Sequence, residues 1–300
     1  MVLRCLRAEL MKCRRAPVWL AFLVLPLFPA VLGTFNYLGN LEVLDAGWYS
    51  LWTQHTLFAS MFFLPAQFGV FCAWQWRLEH ADHNWNAALT APVPVRALYL
   101  GKLLLDVGVS ALAMALIGLL FLLSGRLAGI SAPLPPELPG WLAFGALGCT
   151  AVCAVQLYLS LAIRAFAPPV AIALVGGIFG LLLTSQGLGS AFPYSLLCLG
   201  MRANNPQMAL PLLSGGLRVL PSALLSAGRT AALPPGCRHR VKHTPACHST
   251  RGYVLPPIEK VLSTAGGFID ILLCHPIQSS LEQMTAVAFM EGMKTMAAVM

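Results

Sequence analysis

The chain has 300 residues, of which 58% are hydrophobic and 10% charged, and its formal net charge is +8. Its mean hydropathy is +0.74. A soluble protein would interrupt its core segments with charges, and one small domain could not hide charge-free runs this long and this numerous. Nor does the basic excess call for nucleic acid: no basic soluble module stands before residue 200. Much of the Lys and Arg lies where it would meet anionic headgroups.

The opening LRCLRAELMKCRRAP predicts a short amphipathic helix over residues 1–17. Leu3, Leu6, Leu10 and Met11 fall at helical spacing, read as opposite Arg7 and Arg14, and Pro17 marks the end. With Arg4, Arg7, Lys12, Arg14 and Arg15 the segment is expected to lie flat on the inner membrane leaflet as a membrane-surface element. The alternative is a bare topogenic basic tail.

Apolar stretches then follow at about 18–38, 56–76, 98–123, 141–163 and 169–188. A bilayer core ~30 Å thick needs about 20 mostly apolar residues at ~1.5 Å rise each, so each stretch is long enough to cross. The predicted fold class is therefore an all-α polytopic integral membrane protein. It has five clear transmembrane helices and a sixth that Arg218 and Pro221 interrupt. Pro26, Pro29 and Pro65 lie inside spans, where neighbouring helices can satisfy the freed carbonyls. Gly176, Gly177 and Gly180 give the fifth span a small-residue face, which suits close packing but is also common in membrane helices generally. The first span is long and has no small-x-small cleavage site before a soluble domain, so it reads as retained rather than as a signal peptide.

Lys and Arg alternate along the loops. They precede the first span, are absent from the Leu38–His55 stretch beside Glu42 and Asp45, and return as Arg77, Arg96 and Lys102. Only Arg126 and then Arg164 mark the next two loops. The pattern predicts a cytoplasmic N-terminus, with the loops near Asp45 and Pro135 outside. Trp48, Trp52, Trp74, Trp76, Trp85 and Trp141 near span ends fit an interfacial aromatic belt.

The most informative polar stretch follows the second span, RLEHADHNWNAALTAPVPVRALYLGK, from Arg77 to Lys102. His80, Asp82 and His83 are poorly spaced for a metal site on one helical face, and nothing positions a nucleophile against a base. A docking helix fits better, presenting Trp85 and Leu89 to a cytoplasmic partner, with Pro92 and Pro94 setting the turn back to the membrane.

These residues resemble the permease subunits of bacterial ABC-2 type transporters, and most closely their lantibiotic-immunity and bacitracin-export branch. The likeness runs over roughly residues 1–200, through LRAELMKCRRAP and EHADHNWNAALTAPVPVRALYLGKLL. It places Glu79, Trp85, Leu89, Thr90, Pro92, Arg96 and Lys102 on the family's pattern after span two. The resemblance implies six spans, an intracellular docking helix and coupling to a separate ABC ATPase subunit through Glu79, His80, Trp85, Leu89, Pro92 and Arg96. It also implies a second permease subunit, identical or homologous, and contact with membrane lipid. The chain has no G-x-x-x-x-G-K-[ST] run, as a permease without its own ATPase motif would not. No cofactor and no metal is expected.

The organisation expected is an N-terminal helix at 1–17, a permease domain at 18–228 and an atypical basic and mixed tail at 229–300. The abrupt shift in composition reads as a shifted reading frame or fused segment, against a genuine cytoplasmic tail. Cys237, His239, His243, Cys247 and His248 lack a C-x-x-C knuckle, and the remaining cysteines imply no disulfide framework. Within the spans, Asp106 stands one turn after Lys102, where an i, i+4 pair competes with a proton-relay role. Gln67 and Gln156 are expected to hydrogen-bond between helices. The function expected is export of an antimicrobial peptide or other amphipathic compound from the cell, across the plasma membrane. The alternative is a non-transporting membrane sensor or assembly subunit. An intramembrane enzyme would show paired catalytic groups inside the spans, and the sequence offers none.

Overall fold

Among the described residues every regular element is a helix. The computed structural model describes residues 1–42, 44, 47–81, 93–163 and 165–203. All of these fall in the first of two units, Met1–Val241; the second, Lys242–Met300, lies outside the described residues, as do the sixth-span region and the Cys/His cluster of the tail.

Helix α1 is Val2–Cys13. Next come α2 (Val18–Val24) and α3 (Leu27–Gly39), which together make the first span. They part at Leu25 and Pro26 because proline cannot donate the helical N–H and crowds the preceding turn. The second span, Trp48–His80, is α4 (Trp48–Phe58), a π-helical turn (Ala59–Phe63) and α5 (Leu64–His80). Helix α6 (Val95–Leu127) contains the third span, α7 (Leu138–Ala162) is the fourth and α8 (Ala167–Ser185) the fifth. A 3₁₀ turn (Gly189–Ala191) leads into the short α9 (Pro193–Met201). Among the described residues, five helical segments are thus long and apolar enough to span a membrane.

The second span starts earlier than the hydropathy suggests. Trp48 to His55 is helical rather than loop, because the bundle satisfies its polar side chains. Trp48 Nε1 donates to Ala132 O at 2.8 Å, Trp52 Nε1 to Met201 O at 2.8 Å, and His55 Nε2 lies 2.9 Å from Thr34 Oγ1. The same bonds correct the aromatic-belt expectation. Trp48, Trp52, Trp76 and Trp141 are buried in the bundle, and Trp52 stacks on Trp141 with centroids 5.3 Å apart.

The π turn sits just before Pro65, where a proline removes one backbone donor. Gly177 of α8 lies directly against Met61 O and Pro65, closer than any side chain would permit. Gly176 and Gly180 face a different neighbour, the Tyr194 and Ser195 turn of α9. The fifth span's glycines therefore serve two contacts. Gly148 and Gly200 make similar backbone approaches between α7 and α9, which seats α9 deep among α7 and α8. Gln156 Nε2 donates to Tyr194 Oη at 2.5 Å and Ser195 Oγ to Gly180 O at 2.9 Å, closing polar groups that would otherwise be stranded. Gln67 Nε2 also reaches across helices, to Phe22 O at 3.4 Å.

Candidate functional site

The face that α1 buries is Cys5, Glu9 and Cys13, spaced i, i+4, i+8. A carboxylate thus stands in the middle of the contact with the bundle. Leu3, Leu10 and Met11 stay exposed, as do Arg4, Arg7, Arg14 and Arg15, while Leu6 is half-buried. Leucines and arginines share the outer face rather than opposing each other, since Arg7 and Arg14 follow Leu3 and Leu10 by one turn. Close approach of α1 to α6 depends on Gly101: a Cβ there would stand 2.7 Å from Cys5 Cβ and 3.2 Å from the Leu6 nitrogen.

That approach delivers Glu9 to Lys102, a fully buried lysine inside the third span. Lys102 Nζ donates to Glu9 Oε2 at 2.9 Å, to Glu79 Oε1 at 3.2 Å and to Gln75 O at 3.2 Å. It also lies 5.0 Å from the Trp76 ring centroid, over its face. Lys12 Nζ donates to Glu9 Oε1 at 2.9 Å and to Glu79 Oε1. Two lysines and two glutamates therefore alternate in a closed ring that joins α1 to the ends of spans two and three. Each carboxylate meets both ammonium groups, so charges taken out of water remain compensated.

Lys12 is the ring's one edge toward solvent. Burial alone would lower its pKa, but hydrogen bonds to Glu79 and Glu9 outweigh that and hold it above the ordinary 10.5. The neighbouring Cys13 thiol is pushed up to about 11, by burial first and then by the negative charge of Glu9. It stays a thiol, not a thiolate, at neutral pH.

The residues singled out from sequence fall in different places. Glu79 is buried in the ring. His80 is half-buried, its ring stacked on Trp76 with centroids 6.3 Å apart. Arg96 is exposed at the start of the third span. Trp85, Leu89 and Pro92 lie outside the described residues. The Lys102–Asp106 pair weighed above is not formed. Lys102 turns to Glu9 and Glu79, while Asp106 Oδ1 accepts from Gln75 Nε2 at 2.5 Å and Asp106 Oδ2 from the Cys72 thiol at 3.8 Å. Glu9 escaped the sequence reading. Its signal was a lone acid among five basic residues in the opening segment, between two small cysteines at helical spacing.

Five apolar spans and an amphipathic helix tied to them by buried charge define a multi-pass integral membrane protein. The family model described as ABC-2 family transporter protein matches residues 5–180, more than half of the chain, and the chain belongs to that family. It is thus a permease subunit of an ABC transporter, a transport subunit whose ATPase partner is a separate polypeptide. No curated protein and no solved structure matches it.

Proposed function

We propose that this permease exports an antimicrobial peptide or another amphipathic compound, in the manner of the lantibiotic-immunity and bacitracin-export branch. It would act in the plasma membrane with its N-terminus in the cytoplasm, paired with a second permease chain and two ATPase copies. The cargo class rests on the motif resemblance around Glu79 to Lys102. The coupling route rests on the ring of Glu9, Lys12, Glu79 and Lys102.

The chain leaves the second span just after Glu79 and re-enters the third six residues before Lys102. Both roots of that loop are therefore tied to α1 and to each other. Force applied by an ATPase to Trp85, Leu89, Pro92 or Arg96 would reach two spans and α1 together. Glu79 serves this coupling from inside, by holding the roots, with His80 beside it. Arg4, Arg7, Arg14 and Arg15, with Leu3, Leu10 and Met11 on the same exposed face, suit α1 to a headgroup layer, where arginines snorkel around buried leucines. Residues 18–228 form the permease domain in this reading, and 229–300 contribute little to it.

Co-purification of the tagged full chain with its ATPase tests the docking part. Trp85→Ala removes an aromatic anchor of the kind often worth ~2 kcal/mol or more at an interface. It is expected to abolish ATPase capture while membrane insertion persists. Unchanged capture together with unchanged ATP-dependent export would remove the docking role from this loop.

A further inference from the structure

One turn deeper than the charge ring, three spans bring polar side chains to one point. Cys72 comes from α5, Asp106 from α6 and Cys153 from α7, and all three are fully buried. One donor atom from each, the two Sγ and a carboxylate oxygen, lie within 4.8 Å of one another. Ser110 Oγ is 3.9 Å from Cys153 Sγ, and the Cys72 thiol faces Cys153 O at 3.9 Å. Gln75, also fully buried, gives its Nε2 to Asp106, and its Oε1 has no hydrogen-bond partner.

Two features separate this cluster from an ordinary polar contact. The first is charge. Glu9 and Glu79 are matched by Lys12 and Lys102, which leaves an ionised Asp106 without a cation of its own in a low-dielectric interior. The second is donor type and spacing. A tetrahedral ion at ~2.3 Å from sulfur and ~2.0–2.2 Å from oxygen separates its ligands by about 3.5–3.8 Å. Cys72 Sγ and Asp106 Oδ2 already stand 3.8 Å apart. Thiolates select soft or borderline ions, and the oxygen donors favour the borderline one.

We propose that Cys72, Asp106 and Cys153 form a zinc-type metal site with three protein donors, the fourth position being filled by water. Entry of a divalent ion would expel the two thiol protons to solvent, with no electron transferred. Two protons leave for each doubly charged ion, so the net charge stays that of the ion-free, ionised state; what changes is that the negative charge is held on a cation shared by three donors rather than on one carboxylate. The ion would cross-link spans two, three and four below the ring. This site is independent of the coupling route and of the cargo.

The test uses the full chain in detergent, stripped with a chelator and titrated with Zn²⁺, and with Co²⁺ as a spectroscopic stand-in. One equivalent of tightly held zinc and thiolate-to-cobalt charge-transfer absorption are expected. Both should vanish in the Cys72→Ser/Cys153→Ser variant and survive in Cys237→Ser/Cys247→Ser/Cys274→Ser, which disables the three tail cysteines. Asp106→Asn keeps the side-chain volume. It should weaken zinc binding by more than the ~10–100-fold typical of losing an outer-shell partner. Variants are compared only where gel filtration matches the parent. No zinc uptake by the parent overturns the proposal and leaves Asp106 to hold a proton instead. Uptake lost with the tail cysteines but not with Cys72 and Cys153 overturns it equally.

Discussion

The two ends of this bundle are held by opposite means. At the α1 end, four charged side chains close a ring across three helices, with Lys102 fully buried at its centre. At the other end, α9 is wedged between α7 and α8 on bare backbone at Gly148, Gly180 and Gly200, with the Tyr194 ring lying against Gly176. Ionic contacts are strong only while every partner is present, and they have discrete alternatives. Backbone-to-backbone packing is insensitive to charge and tolerates almost no change of volume. The first kind of joint suits an element that must transmit a movement, the second an element that must keep its place.

Removing one charge should produce the largest effect. Lys102→Ala leaves Glu9 and Glu79 buried with Lys12 as their shared cation, and breaking a buried pair costs about 3–5 kcal/mol. Thermal unfolding in detergent should show that loss. Replacing all four ring residues with apolar ones should recover most of it and still uncouple ATP hydrolysis from transport. A midpoint unmoved by Lys102→Ala would show that the ring carries no stability.

At the far end a smaller loss is expected from added volume. A Cβ at Gly148 would stand 2.7 Å from Leu196 O and 2.7 Å from Leu197 Cα, both backbone atoms that cannot swing away. Gly148→Val should cost about 1–3 kcal/mol by overpacking, and the loss should not depend on pH or salt. Faster hydrogen exchange over Pro193–Met201, with α1 unchanged, would locate the damage at α9.

The smallest effect is on the half-exposed edge of the ring. Because the folded pKa of Lys12 lies above 10.5, its contribution is complete below that pH and disappears as pH rises through the folded value. The stability difference between the parent and Lys12→Gln should therefore be constant at neutral and mildly alkaline pH and shrink only once the pH passes 10.5. A difference that instead fades between pH 7 and 9 would place the contact elsewhere.

Span number and helical class were legible because charge-free length leaves little choice in lipid. Pro26, Pro29 and Pro65 were read alike as prolines tolerated inside spans, whereas the first span parts only at Pro26 and Pro29 lies within α3. The early start at Trp48 was not. Trp52 is satisfied by the Met201 carbonyl, 149 residues away, and no window of sequence contains that partner. The ring was half legible. Glu79 and Lys102 stood on a family pattern, whereas Glu9 gains meaning only once Gly101 lets α1 touch the third span. Cys72 and Cys153 looked like unremarkable small residues of separate spans, because convergence of three helices is a tertiary fact.

The π turn at Ala59–Phe63 acts as a phase corrector. Trp52 and Cys72 are twenty positions apart, and a regular helix advancing ~100° per residue would set them about 200° around the axis from each other. One of the two would then look outward to the acyl chains. The extra residue that a π turn holds takes back about 100° and leaves the two about 100° apart, so the tryptophan end and the cysteine end of one long span can both fall in its inward half. A single surplus residue thus lets one helix be read from the same side by two joints of unlike chemistry.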